Sequence, residues 1–167
     1  MLAKQASTGG PETVTASECC LSKLKELEGY TPVARHLPGN RANVITGGYG
    51  ETQVKPGETH TEPEWEAKLR ARVAEFAGIV NSAVNVPLAQ SQFDALVLFV
   101  YNVEPGNPHT HPPIEGLLTS TLLKLLNAGD MTGASNEFVR WDRADGKPLA
   151  GLTTRRLFER SWFVEAA

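Results

Sequence analysis

Glu28 is the side chain best placed for acid–base chemistry, because it lies on a predicted helix and shares a face with leucines. Leu21, Leu24 and Glu28 stand at i, i+3 and i+7, the spacing of one helical stripe. A carboxyl group among apolar side chains is desolvated, which favours its protonated form and suits a general acid. The alternative is that Glu28 lies at the edge of the stripe and reaches water. Gly29 is a residue that commonly ends a helix.

A glycine-rich stretch, Thr46-Gly-Gly-Tyr-Gly, begins 18 residues after Glu28 (46 − 28 = 18). Glycine is required where the backbone has φ > 0 or where another group approaches closely. A phosphate-binding loop is not favoured, because no Lys-Ser/Thr pair follows and no long helix begins directly after it. The stretch therefore predicts a tight hairpin that borders a cleft, with Thr46 at its lip. A plain hairpin explains these five residues equally well.

The composition places the chain among ordinary globular proteins. It has 167 residues, 41% hydrophobic residues and a net charge of −3, which suits one domain, with room for two small lobes, and does not suggest nucleic acid as a partner. The longest apolar run is too short to cross a bilayer, so no membrane insertion is expected. Residues 1–15 are polar and small and predict a flexible segment rather than a secretory signal. The protein is therefore expected to be made in the cytoplasm without a signal peptide.

The elements that position Glu28 and Thr46 follow from the periodicity. A first helix begins at a cap formed by Thr15 or Ser17 and ends at Glu28. Residues 30–60 are rich in proline and glycine, with short groups of β-formers, and predict a small irregular β-lobe. A second capping box, at Thr61 and Glu64, opens a long amphipathic helix. A third helix is predicted to begin at Pro87, a fourth to extend over Leu118–Leu126, and further helices follow to the end of the chain. The predicted fold class is α+β, with two lobes and a cleft between them.

The order and spacing of several motifs resemble those of the phage-type lysozymes, the endolysins of glycoside hydrolase family 24. The resemblance spans roughly residues 17 to 163. Any one of its motifs is weak, whereas the set is specific. The matching segments are Glu28-Gly29, Thr46-Gly-Gly-Tyr-Gly, Gln92-Phe-Asp-Ala-Leu, Tyr101-Asn-Val, Leu126-Asn-Ala-Gly-Asp, and Gly151-Leu152 with Arg155-Arg156 and Glu159.

The resemblance implies a lysozyme-like domain over 16–167. Its β-lobe would comprise residues 30–60, and its helical lobe residues 61–165 together with 16–29. A long helix would join the two lobes. The implied activity is a muramidase that hydrolyses the β-1,4 bond between N-acetylmuramic acid and N-acetylglucosamine in peptidoglycan and lyses bacteria. No cofactor and no metal are implied, and a monomer is expected. Such endolysins reach the wall after release through a holin; a toxin muramidase delivered by a secretion machine would use the same chemistry.

The resemblance also assigns roles to single residues. Glu28 would protonate the glycosidic oxygen, and Thr46 would position the attacking water or line that side of the cleft. Arg155, with Arg156 next to it, matches an arginine that lies near the catalytic glutamate in the family. A nearby arginine would oppose the effect of burial on Glu28. Tyr49 and Arg155 are predicted to contact the substrate.

One position departs from the family. The family has Asp six residues before its Thr, whereas this chain has Asn40, and there is no Asp or Glu between Gly29 and Ile45. Glycoside hydrolysis generally uses two carboxylates. The first alternative is that Glu51 supplies the second acid. The second is that Asn40 positions a water or a sugar acetamido group while Glu28 acts alone, as in a lytic transglycosylase. The third is a non-catalytic glycan-binding module.

Overall fold

The structure is a computed structural model that describes residues 13–37, 44–144 and 146–165. Two regions are visible in the chain order: a first helix with a two-stranded β-lobe, and a set of helices after it. The helices are α1 (Glu18–Glu28), α2 (Glu62–Ala83), α3 (Gln90–Val103), α4 (Thr121–Asn127), α5 (Met131–Glu137) and α6 (Ala150–Val164). The strands are β1 (Thr31–His36), β2 (Ile45–Gly48), β3 (Arg143–Ala144) and β4 (Lys147–Pro148).

Helix α1 is fixed to α3 at its first turn. Ser17 is its N-cap, because the Ser17 hydroxyl accepts a hydrogen bond from the Cys20 amide at 3.1 Å. Asp94 of α3 is 3% exposed and accepts hydrogen bonds from both the amide and the hydroxyl of Ser17. Just before this cap, the Val14 amide donates a hydrogen bond to Asn81 Oδ1, and the Val14 carbonyl accepts one from Asn81 Nδ2. Within the predicted flexible segment, Val14 is thus attached to α2, and residues 1–12 lie outside the described residues.

The β-lobe is small and irregular. Strands β1 and β2 are antiparallel, with Arg35 opposite Thr46 and a bulge between Thr31 and Arg35. The glycines of β2 lie on Trp65 of α2, which is 1% exposed. A Cβ atom at Gly48 would lie 2.5 Å from the indole ring, so only glycine allows the strand this close to the helix. The β-lobe is therefore held on the first turn of α2.

Helix α2 joins the two lobes. It begins at the predicted capping box, in which the Glu64 carboxylate accepts hydrogen bonds from the Thr61 amide and hydroxyl at 2.8 Å. Trp65 packs under the β-lobe, and three turns later Phe76 packs edge-on against Tyr101 of α3, with ring centroids 5.6 Å apart. The middle of α3, Phe93 to Val100, is buried throughout and forms the centre of the helical lobe. The predicted α+β class is confirmed.

Two helix starts differ from the sequence expectation. The third helix was expected to begin at Pro87 but begins at Gln90, because the Gln92 side chain accepts a hydrogen bond from the Ala89 amide at 3.0 Å. The helix expected over Leu118–Leu126 begins only at Thr121, because the Ser120 hydroxyl caps it through the Leu123 amide. Among the described residues, no helix is both long and apolar enough to cross a membrane.

Candidate active site

Glu28 is the last residue of α1 and lies where the two lobes meet. The helix ends after it because Gly29 adopts φ 69° and donates its amide to the Lys25 carbonyl at 3.1 Å. The Glu28 side chain is 19% exposed, and its Oε1 accepts a hydrogen bond from Arg155 Nη1 of α6 at 2.8 Å. Glu28 is thus bound by a guanidinium group and is not a lone carboxyl group among leucines.

The turn after β2 touches the same carboxylate. Gly50 has φ 86°, and a Cβ atom at this position would lie 3.0 Å from Glu28 Oε2. Both reasons for glycine considered from the sequence, a positive φ and a close approach, apply at this one residue. The glycine-rich stretch is therefore the part of the β-lobe that contacts the candidate acid.

Thr46 and Glu51 flank this turn. Thr46 lies on β2 and is 8% exposed. Glu51 pairs with Gly47 through two backbone hydrogen bonds of 2.9 Å, and its Oε1 accepts a hydrogen bond from the Gln53 amide at 2.8 Å. Burial raises the pKa of Tyr101, and the carboxylates of Glu28 and Glu51 raise it further. Glu51 directly follows Gly50, the residue that lies against the Glu28 carboxylate.

Tyr49 is packed inside the β-lobe. Its side chain is 6% exposed, its hydroxyl donates to Glu62 Oε1 at 3.0 Å, and its ring lies 5.1 Å from that of Tyr30. Its carbonyl accepts a hydrogen bond from the Tyr101 hydroxyl at 3.0 Å, which ties the glycine-rich turn to α3. The structure gives Tyr49 a packing role, and its contact with substrate stays a prediction. The exposed ring in this pair is Tyr30, at 41%.

Arg155 is held by three acceptors from three helices. Besides Glu28, its Nε donates to Glu159 Oε1 at 3.1 Å and its Nη2 to the Leu98 carbonyl at 3.2 Å. Glu159 in turn pairs with Arg156 Nη2 at 3.1 Å, and the same nitrogen donates to Asn102 Oδ1 at 2.7 Å. The family resemblance includes Arg155, Arg156 and Glu159, but their burial as one cluster was not predicted. Its signal was the spacing of Arg155, Arg156 and Glu159 at i, i+1 and i+4 on one helix.

A cavity of about 740 Å³ opens in the helical lobe, next to this cluster. Asn102 lies in its wall, together with Trp141 and charged side chains such as Glu137 and Arg140. Its lining is mostly polar, which suits a hydrated ligand such as a sugar or peptide. Asn102 thus connects the buried cluster to the cavity, because it accepts a hydrogen bond from Arg156 and also lines the cavity wall.

Two further expectations from the sequence concern Asn40 and metal binding. Asn40, which stands where the family has Asp, lies outside the described residues. Across the described ranges, no group of three or more His, Cys, Asp or Glu side chains is arranged to bind a metal ion.

A glutamate at the end of the first helix lies between a glycine-rich β-turn and an arginine of the last helix, the arrangement that the resemblance to the phage-type lysozymes implies. The family model described as phage lysozyme matches residues 25–159. The chain belongs to the phage lysozyme family. The lysozyme-like fold and the family expected from the sequence are thereby confirmed.

Individual relatives agree with this assignment. The chain is 40% identical over 155 residues to an endolysin of Acyrthosiphon pisum secondary endosymbiont phage 1, which covers 90% of this chain and 98% of that protein. It is 37% identical over 149 residues to an endolysin of Bacillus phage B103, which covers 89% of this chain but 53% of that protein. The chain thus spans about half the length of the second relative. The muramidase domain of SpmX from Asticaccaulis excentricus has a TM-score of 0.75 at 31% identity, covering 90% of this chain and 97% of that chain.

Proposed function

We propose that this chain is a muramidase that hydrolyses the β-1,4 bond between N-acetylmuramic acid and N-acetylglucosamine, with Glu28 as the general acid. The observation that carries this proposal is the placement of Glu28 at the lobe junction, 2.8 Å from Arg155 and against the turn at Gly50. Peptidoglycan is the substrate that the family implies. The consequence of cleavage is lysis of the bacterial cell.

The two oxygens of Glu28 have different surroundings, which suggests how the acid works. Arg155 binds Oε1, whereas Oε2 faces the glycine turn. Protonated Glu28 donates from Oε2 to the glycosidic oxygen, which leaves a carboxylate. The Arg155 guanidinium then stabilises the negative charge that develops on Glu28 as the bond breaks.

Glu51 is the proposed second carboxylate. It is the acidic residue that directly follows the glycine turn, and its neighbour Gly50 lies against the Glu28 carboxylate. In the proposed mechanism Glu51 deprotonates a water molecule positioned by Thr46, and that water attacks the sugar. Asn40, Tyr49 and Arg155 are proposed to contact the substrate.

Mass spectrometry of the fragments released from purified peptidoglycan tests this proposal. Wild-type protein is expected to release fragments with reducing muramic acid ends, and Glu28→Gln is expected to release none while its unfolding temperature stays close to that of wild type. Glu26→Gln is the matched control, because Glu26 lies on the same helix but its side chain is 69% exposed and pairs only with Lys23 among the described residues. A large loss of stability in Glu28→Gln would instead make Glu28 a structural residue.

The same spectra separate the alternatives, which Asn40 motivates. Anhydro-muramic acid ends would identify a lytic transglycosylase, in which the sugar's own hydroxyl replaces water. Absence of fragments, together with sedimentation of the protein with peptidoglycan, would identify a glycan-binding module.

Endolysins act on the cell wall, and we propose that this chain reaches the wall after release through a holin and acts as a monomer. Light scattering after size exclusion tests the second point, since a monomer gives the mass of one chain.

A further inference from the structure

The buried cluster of Arg155, Arg156 and Glu159 is a costly way to fill a protein core. Arg156 and Glu159 are fully buried, and Arg155 is 7% exposed. Within the described residues, Arg156 Nε, Arg156 Nη1 and Glu159 Oε2 are buried without a hydrogen-bond partner. A buried polar atom without a partner lowers the stability of the fold, and apolar side chains of similar volume often replace buried ion pairs without loss of stability. The cluster is therefore better explained by what it holds in place.

What it holds is the guanidinium that contacts Glu28. A guanidinium is planar, so two fixed acceptors determine where its remaining nitrogen points. For Arg155 these acceptors are Glu159 Oε1 and the Leu98 carbonyl, and the remaining Nη1 reaches Glu28. Without Glu159, one acceptor remains and the guanidinium can turn about it.

We propose that Glu159 is a positioning residue of the reaction, which holds Arg155 in the one orientation that places its Nη1 on Glu28. The proposal rests on Glu28 being the general acid. Glu159 touches neither the substrate nor the reacting atoms, and it acts through Arg155 alone.

The acceptor role of Glu159 does not require its charge. The charged groups that face it are Arg155 and Arg156 on its own helix and Glu28 at the end of α1. Burial raises the pKa of Glu159 to about 7, although the two guanidiniums oppose this shift. Since a carboxylic acid and an amide both keep an accepting oxygen, Glu159→Gln should still hold Arg155.

The decisive variant replaces the buried pair by apolar residues, as Arg156→Met with Glu159→Leu. Because the charges are removed together, the unfolding temperature is expected to stay within a few degrees of wild type. We expect kcat on soluble peptidoglycan fragments to fall about 10–100-fold, since Arg155 no longer holds the acid in place. A change in KM alone would come from Asn102, which loses Arg156 in this variant, and would refute the positioning role.

Three further variants make the result specific. Glu159→Gln is expected to keep kcat within about threefold of wild type, because it keeps the acceptor. Ser135→Ala removes another buried polar group that binds only the Thr132 carbonyl among the described residues, and is expected to leave kcat unchanged. If the double variant does not fold, Glu159→Asp takes its place: it keeps the charge but shortens the reach, so kcat should fall with KM unchanged. Wild-type kcat in either the double variant or Glu159→Asp would overturn the proposal, as would loss of kcat in Glu159→Gln to the level of the double variant.

A second readout does not depend on activity. The Arg155 Nε–H group should give a slowly exchanging ¹H–¹⁵N resonance in wild type and in Glu159→Gln, and lose this protection in the double variant. If wild type releases no peptidoglycan fragments, the proposed function fails, and this resonance then tests only whether Glu159 holds the Arg155 guanidinium. An Arg155 resonance that stays protected in the double variant would show that Glu159 does not hold the guanidinium.

Discussion

The substitution Gly50→Ala tests two separate reasons for glycine at this turn, the positive φ of its backbone and the close approach of Glu28. The backbone at Gly50 has φ 86°, and a Cβ atom would lie 3.0 Å from Glu28 Oε2. Alanine is strained in this backbone conformation, and its methyl group also displaces the carboxylate of the candidate acid. The first effect lowers the free energy of unfolding, whereas the second lowers the rate of the reaction.

Both effects can be estimated. A non-glycine residue in the left-handed region costs about 1–2 kcal/mol, which for a domain of this size lowers the unfolding temperature by about 2–8 °C. To restore an ordinary carbon–oxygen contact of about 3.4 Å, the Glu28 carboxylate must move by about 0.4 Å. If a misplacement of about 1 Å costs about 100-fold in rate and the logarithm scales with distance, this movement costs about sixfold in kcat.

Gly129→Ala is the matched control, because Gly129 has φ 82° and no described atom outside its own neighbourhood lies within 4 Å of the place its methyl group would take. It should lose as much stability as Gly50→Ala and keep wild-type kcat. The assay compares thermal unfolding with initial rates on labelled peptidoglycan, measured well below both unfolding temperatures. Equal kcat values in the two variants would refute the claim that the turn at Gly50 positions Glu28.

Three further predictions follow from the geometry. Glu51→Gln should lower kcat at least 100-fold without loss of stability if Glu51 is the base, and near wild-type turnover would remove it from the mechanism. Asp94→Ala should lower the free energy of unfolding, measured in urea, by about 2–4 kcal/mol, because it removes the buried carboxylate that accepts two hydrogen bonds from Ser17 and one from Gln90. A loss below about 1 kcal/mol would contradict this account. Because the pKa of Glu159 rises from 4.5 in the unfolded chain to about 7, the folded protein binds more protons between these values, and its stability falls as pH rises through this window. From pH 5 to pH 7, wild type should therefore lose stability relative to Glu159→Gln, by on the order of 1–3 kcal/mol in the free energy of unfolding. A difference in unfolding temperature between the two proteins that stays constant with pH would contradict this.

Local signals in the sequence predicted much of the fold. The capping box at Thr61 and Glu64 and the periodicity after it located α2 to within a few residues, because both depend on side chains three or four positions apart. The glycine stretch predicted a close approach, and Gly50 shows one. The start of α4 was missed, since Ser120 caps a short helix inside a run of leucines that also fits one longer helix.

The surroundings of the candidate site could not be derived from local signals. The contact between Glu28 and Arg155 joins residues 127 positions apart, and only the family resemblance suggested it. The cluster around Glu159 was missed because a glutamate four residues after an arginine is ordinarily a surface pair. The packing of Tyr49 was missed because it depends on Glu62 and Tyr101, which come from two other elements.

The separation of Glu28 and Arg155 has a consequence for synthesis on the ribosome. Glu28 and the glycine turn leave the exit tunnel early, whereas Arg155 and its acceptor Glu159 lie on the last helix, α6, and emerge more than 100 residues later. Until then Glu28 lacks the guanidinium that orients it, even if α1 and the β-lobe have already formed. A nascent chain that stalls before α6 would therefore hold the acid without its partner, and ordering of the Glu28 carboxylate would report that residue 159 has left the exit tunnel.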